Sequence, residues 1–268
     1  MQNESTLEGQ PLNDACKLNL QFREIEVTDI KTMKMLCTEW FPIRYDNKWY
    51  EDVAVRKDVF LSIVADLYPT LTPNNSNPTV TNVVTQENIG NTNIYKNANI
   101  SGLLVAEVKP IANCCNEDRS VISEFYQAST GVKLQGENHL VCYILILGVR
   151  RELRRHNIAS ALIKELENRI PERCDVVFLH ALDSNFPAIL FYEKQKFQRL
   201  SCLSSYYVID GTEHSGYCYA KIKSRRNYDI NTVDDEHDKF PDNIFEYPNY
   251  FSRKLTSWMF RQFERFQL

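Results

Sequence analysis

Two groups of residues in this 268-residue chain have types and spacing suited to chemistry. The first is Leu147 to Ser160, LGVRRELRRHNIAS. An apolar run ends there, a basic turn follows, and a helix opens on small residues, so free backbone N–H groups and the positive end of a helix converge on one spot. Such a spot suits a pyrophosphate. Arg150, Arg151, Arg154 and Arg155 add cationic charge, while Ala159 and Ser160 allow close approach to the backbone. Taken alone, the segment reads more readily as an ordinary basic turn opening a helix. The second group is His180, inside the apolar run Val177 to Leu182, and Tyr143, inside Val141 to Leu145. By themselves these read as a core His satisfied by a carbonyl and a packed Tyr.

The elements that must position these groups alternate along the chain. Leu18 to Val27 reads as a half-buried strand, followed by Thr28 and Asp29 as a capping pair for a helix carrying Ile30, Met33 and Leu36. Phe60 to Ala65 and Ile100 to Val108 read as strands flanking an Asn- and Thr-rich insertion, residues 69 to 99, which makes that insertion an overgrown hairpin loop. Cys115 to Asn138 reads as a long polar connection. Leu140 to Val149 is a strand buried on both faces, Ile158 to Ile170 a helix, Asp175 to Leu182 a strand, and Pro187 to Gln195 a helix with Pro in its first turn. Strands at Phe197 to Leu203, Tyr206 to Ile209 and Tyr217 to Lys221 complete a mixed sheet with helices against it, an α/β (α+β) domain over residues 18 to 224. Residues 1 to 17 read as disordered, 225 to 250 as an acidic linker, and 251 to 268 as an amphipathic helix.

Arg154-x-x-Asn157-x-Ala159 resembles the acetyl-CoA loop of the GCN5-related N-acetyltransferases (GNAT), and Asn185-x-x-Ala188-Ile189-x-Phe191-Tyr192 resembles that superfamily's later CoA-contacting segment. WFPIRYDNKWY (Trp40 to Tyr50), CYILILGV (Cys142 to Val149), LRRHNIAS (Leu153 to Ser160), FLHAL (Phe178 to Leu182) and the pair Tyr206-Tyr207 are similar to the Golgi-associated N-alpha-acetyltransferases of the NatF type. The resemblance spans roughly residues 18 to 66 and 100 to 222. It implies a GNAT fold with a mostly antiparallel central sheet, acetyl-CoA as co-substrate, no metal, and acetylation of the free α-amine of protein N-termini beginning with Met and an apolar residue. An α-amine of reference pKa about 7.7 to 8.0 needs a base near neutrality, and the resemblance gives that role to His180, with Tyr143 as its partner in holding a water. It assigns Leu147, Gly148 and Val149 to the thioester and pantetheine, and Arg154, Arg155, His156, Asn157, Ile158, Ala159 and Ser160 to the phosphates. The resemblance also places Asn185 and Tyr192 against CoA, with Tyr192 a candidate proton donor to the leaving thiolate, and it assigns Phe41, Pro42, Tyr45, Leu145 and Tyr207 to the peptide slot. Direct attack needs no covalent intermediate, so no Cys is a required nucleophile. Two positions depart from the pattern: Asn157 replaces the family's usual Gly, and Arg44 replaces an acid. A lysine ε-amine acetyltransferase and a catalytically silent membrane-bound scaffold are the competing readings.

Composition limits the partners. The net charge of −4 offers no basic surplus for nucleic acid, and 43% hydrophobic residues exclude wholesale disorder. No apolar run reaches the roughly 18 to 20 residues of a spanning helix, and the polar start lacks a signal-peptide pattern. Eight cysteines without C-x2-C spacing point to neither disulfides nor a zinc site. In the tail, Phe251, Leu255, Trp258, Met259, Phe263 and Phe266 form a helical stripe, and Arg253, Lys254, Arg261 and Arg265 outnumber the single acid Glu264. A basic amphipathic helix of this kind fits an anionic membrane surface. The expected setting is peripheral, on the cytosolic face of the Golgi or another internal membrane, with the cytoplasm as the alternative; transmembrane proteins with cytosolic N-termini are the expected substrates, and a homodimer is an open possibility.

Overall fold

The structure is a computed structural model that describes residues 19–68, 100–134, 136 and 139–223. The N-terminal segment, the 69–99 insertion, the acidic linker and the amphipathic tail all lie outside the described residues. The remainder forms β1 (Asn19–Arg23), α1 (Ile30–Trp40), α2 (Asn47–Val55), β2 (Phe60–Tyr68), β3 (Ile100–Pro110), α3 (Asn116–Thr130), β4 (Leu140–Val149), α4 (Ile158–Arg169), β5 (Cys174–Leu182), α5 (Phe186–Lys194), β6 (Gln198–Ile209) and β7 (Thr212–Ile222). The strands make one sheet in the order β1-β2-β3-β4-β5-β7-β6. Every neighbouring pair is antiparallel except β4 and β5. This is the mixed, mostly antiparallel sheet that the resemblance implies.

Alternation along the strands sorts the core onto two faces. Leu104 and Ala106 of β3, Cys142 and Ile144 of β4, and Leu179 and Ala181 of β5 pack with Ile158, Leu162, Ile163 and Leu166 of α4 and Tyr192 of α5. On the opposite face, Leu103 and Val105 lie with Met33, Leu36 and Cys37 of α1 and Trp49, Tyr50 and Val53 of α2. Beside them on that face, Val141, Tyr143, Val176, Phe178, Cys218 and Ala220 pack with Ile122 and Tyr126 of α3.

Four expectations need correction. The first strand stops at Arg23 rather than Val27, because Asp29 accepts the backbone N–H of Glu26 at 2.8 Å and an ion pair from Arg23, which turns the chain into a short 3-10 segment ahead of α1. α2 was not foreseen; Asp46 caps it by accepting the Trp49 N–H at 2.6 Å, and Tyr45 stacks on Trp49 at 4.3 Å. The polar connection expected at Cys115 to Asn138 is mostly helix α3. Its buried stripe is only Asp118, Ile122 and Tyr126, too narrow to show as periodicity, and Tyr126 anchors it by donating to Asp175 at 3.0 Å. Finally, the two strands expected at Phe197–Leu203 and Tyr206–Ile209 are one strand, β6, with a register shift between Leu203 and Tyr207 where Ser205 takes φ 51°.

Candidate active site

Strands β4 and β5 run side by side through five register pairs, from Leu140 with Cys174 to Ile144 with Leu179, and then part. Beyond that point β4 continues against β3 to Val149, and β5 continues against β7 to Leu182. A wedge therefore opens in the middle of the sheet. At its apex β4 carries an extra residue: Val105 faces Ile146 and Ala106 faces Ile144, so Leu145 has no partner on β3. A bulge of this kind bends a strand and re-aims its side chains, and here it brings Ile146 onto the face that holds α1 and α2.

The residues expected to move a proton meet at this apex. Tyr143 Oη lies 3.0 Å from His180 Nδ1. Two further groups, missed from the sequence, complete the constellation: Tyr206 Oη lies 2.7 Å from the same Nδ1, and Asp118 Oδ1 lies 2.8 Å from His180 Nε2. The His180 and Asp118 side chains are 3% and 8% exposed. Burial works to raise the Asp118 pKa, but the hydrogen bond and electrostatic attraction of His180, a hydrogen bond from Cys115 and the charge of Lys109 outweigh it, so the carboxyl is held below its usual value. Ionised, Asp118 can only accept, which assigns the imidazole proton to Nε2 and leaves the Nδ1 lone pair facing the two tyrosines. Burial pushes both phenols well up, so each remains an O–H donor. The result is a proton acceptor at Nδ1 oriented from behind by a carboxylate, with two hydroxyls that can relay a proton to it.

A buried ion pair sits against the same ring. Lys109 donates to Glu107 Oε2 at 2.8 Å and places its ammonium 5.3 Å from the centroid of Tyr143. Burial opposes the Lys109 charge, but Glu107 outweighs it and keeps the lysine protonated.

At the open end of the wedge stands the basic loop. Arg154 Nε donates to the Val149 carbonyl at 3.1 Å, which folds the loop back on the strand. Asn157, at the N-terminus of α4, takes φ 62° and does not cap the helix with its side chain. A left-handed conformation that Gly adopts most freely is thus taken here by the residue type that tolerates it best after Gly. Arg155 also has φ 69°; Arg154, Arg155, His156 and Asn157 are exposed. Exposed cations beside uncapped N–H groups fit a pyrophosphate. Ser160 accepts from Gln195 at 3.0 Å and Ile158 is buried, so these two hold the helix in place rather than project from it. Gly148 lies under the indole of Trp40, where an added Cβ would stand 2.0 Å from the ring.

The remaining expected residues divide. Asn185 caps α5, accepting the Ala188 N–H at 3.3 Å. Tyr192 is buried against Phe191 and Phe197. Phe41 and Tyr45 pack with Leu145 on the α1–α2 side, Pro42 is exposed, and Tyr207 is buried with its ring 4.9 Å from that of Tyr206. These aromatic groups flank the apex on the side away from α4 and α5.

The sequence and fold are similar to those of known proteins. The sequence model of the "Acetyltransferase (GNAT) family" matches residues 122–197. N-alpha-acetyltransferase 60 of Drosophila melanogaster is 34% identical over 221 residues, 76% of this chain and 69% of that protein, and its counterpart from Danio rerio is 30% identical over 204 residues, 75% and 68%. Among solved structures, Arabidopsis thaliana NAA60 in complex with acetyl-CoA has TM-score 0.56 and 25% identity, covering 76% of this chain and 98% of that one. The chain belongs to the acetyltransferase (GNAT) family and is similar to members of it named N-alpha-acetyltransferase 60.

Proposed function

We infer that this protein is an acetyl-CoA-dependent N-alpha-acetyltransferase that acts on the free α-amine of protein N-termini. The observation that carries the reading is the His180 Nδ1 lone pair, fixed by Asp118 and met by Tyr143 and Tyr206 at the apex of the β4–β5 wedge. The names of the relatives, and the acetyl-CoA held by the Arabidopsis protein, support it. Transfer forms an amide C–N bond, breaks the thioester C–S bond and moves one proton from the amine to the CoA sulfur. In this chain the amine proton passes to His180 Nδ1, directly or through the hydroxyl of Tyr143 or Tyr206. The unpaired edge of β4 from Leu145 to Val149 supplies backbone N–H groups for the thioester oxygen and the pantetheine arm. Arg154, Arg155 and the N-terminus of α4 hold the phosphates, and Phe41, Pro42, Tyr45, Leu145 and Tyr207 receive an initial Met and an apolar second residue. Tyr192 is the proton donor to the departing sulfur and recovers a proton from solvent as His180 releases the one taken from the amine.

The test is CoA release from acetyl-CoA with two peptides, one beginning Met-Leu with a free α-amine, the other N-terminally blocked with an internal lysine. Turnover on the first alone is the expected result. Turnover confined to the lysine peptide would transfer the activity to ε-amines, and silence on both without acetyl-CoA binding would leave a scaffold.

The tail extends this reading to a membrane. Residues 251–268 carry an aromatic stripe and a surplus of positive charge, the pattern of a helix that lies in an anionic headgroup layer; on this reading the enzyme meets the cytosolic N-termini of membrane proteins at a Golgi or other internal surface. The full chain is expected to co-float with vesicles containing anionic lipid, and a chain ending at residue 250 to stay behind with its peptide activity intact. Flotation of the shortened chain would overturn the assignment.

A further inference from the structure

Behind the catalytic imidazole, Asp118 and His180 Nε2 meet a third ligand residue, Cys218, that the acetyl transfer does not use. β5 and β7 are antiparallel neighbours in which His180 and Cys218 are register partners, so both side chains project from one face of the sheet. α3 lays Asp118 across that face. One ligand atom from each of Asp118, His180 and Cys218 falls within 4.8 Å of the other two. Cys115, at the start of α3, is half-buried beside them, its sulfur accepting the Asp118 N–H at 3.4 Å. Lys109 is the nearby cation, and its charge is matched by Glu107, so the carboxylate of Asp118 is left as the net charge of the cluster.

We propose that Asp118, His180 Nε2 and Cys218 form an inhibitory site for a thiophilic divalent cation of the Zn2+ type. A carboxylate, an imidazole nitrogen and a thiolate are a donor set that zinc accepts readily in tetrahedral geometry. Zinc bonds of about 2.0 to 2.3 Å place such ligand atoms about 3.3 to 3.6 Å apart. The Asp118–His180 contact, now 2.8 Å, therefore opens by a fraction of an ångström, and Cys218 Sγ moves inward by at most about 1.3 Å. Binding expels the Cys218 thiol proton to solvent and replaces the Nε2 proton with the metal. The neutral imidazole must then carry its proton on Nδ1, where the hydroxyl oxygens of Tyr143 and Tyr206 can accept it, as the outer partners of metal-bound His commonly do. With Nδ1 protonated, the lone pair that receives the amine proton is gone. The cation is thus an inhibitor set by metal supply rather than a cofactor. Sequence spacing conceals the site because its ligands come from a helix and two strands far apart in the chain.

Co2+ is the probe for the test, added to the purified full-length chain freed of metal. A thiolate-to-cobalt charge-transfer band is expected, together with loss of the band in Cys218→Ser and Cys218→Val. Both variants should keep wild-type turnover in chelator, which also shows that they fold, and should need at least about tenfold more Zn2+ for half-inhibition, a factor equivalent to about 1.4 kcal/mol. Absence of the band in the wild type, its survival in both variants, or unchanged Zn2+ sensitivity would each overturn the proposal. The band is read without turnover, so it stands or falls separately from the acetyltransferase reading.

Discussion

Replacing His180 with alanine is expected to lower kcat by about 10²- to 10⁴-fold, the range a positioned general base contributes, while the Kd for acetyl-CoA stays near wild type. The imidazole is packed at the wedge apex, bonded through one nitrogen to Asp118 and through the other to two tyrosines. The cationic loop that would hold the phosphates begins beyond Val149, at the other end of β4. Chemistry and cofactor binding therefore separate in space and should separate in kinetics. Alanine also strands the buried Asp118 carboxylate, a loss that on its own destabilises a fold by about 3–5 kcal/mol. The companion variant His180→Ala with Asp118→Asn removes that stranded charge. If its melting temperature recovers while kcat stays low, the loss belongs to proton transfer; equal losses of acetyl-CoA binding and turnover would mean that His180 is structural. Isothermal titration, steady-state rates and a thermal melt decide the matter together.

Gly148→Ala is expected to cost about 1–3 kcal/mol of stability, the usual range for forcing extra atoms into a packed interior. A methyl group there would overlap the Trp40 indole, with Cε3 at 2.0 Å and Cζ3 at 2.5 Å, far inside any tolerated contact. Trp40 is the last residue of α1 and packs with the core of that face, so it cannot swing clear without opening that core. At about 2–4 °C per kcal/mol for a domain of this size, the melting temperature should fall measurably. Trp40→Leu in the same chain is expected to recover part of the loss, since it removes the ring that the methyl strikes. Additive losses in the two single variants and the double would show that the contact does not carry the effect.

Much of the sheet was legible because its central strands are continuous apolar runs. Leu140 to Val149 was bounded correctly by the polar residues on either side, and the helix after the basic loop was placed within a residue of its end. Tyr143 and His180 could be singled out because polar side chains inside such runs are conspicuous. Their partners were not, for physical reasons. Asp118 belongs to a helix whose buried stripe is three residues long, and the family match begins at residue 122, beyond it. The signal that could have found it is the four-residue spacing of Asp118, Ile122 and Tyr126 ahead of Gly131, which closes the helix at φ 76°. The resemblance carries the pair Tyr206-Tyr207 but gives a role, in the peptide slot, to Tyr207 alone; Tyr206 reaches His180 beside the register shift where Ser205 takes φ 51°. Cys218 joins the group only through the β5–β7 register, which no local pattern discloses.

The parting of β4 from β5 bears on mechanics as well as on chemistry. Two half-sheets, β1 to β4 and β5 to β6, share only five register pairs along their common seam, whereas β5 and β7 share seven and β3 and β4 nine. The outer β1–β2 pairing also has five, so the seam is the most sparsely paired line within the sheet's interior, and a pantetheine arm lying in the wedge would act as a brace across it, engaging backbone groups that no strand satisfies. Occupancy and rigidity then become one thermodynamic quantity: a ligand at a hundred times its Kd adds about 2.7 kcal/mol to the folded state. On that reading the protein is softest when empty, and its resistance to unfolding should rise with acetyl-CoA occupancy.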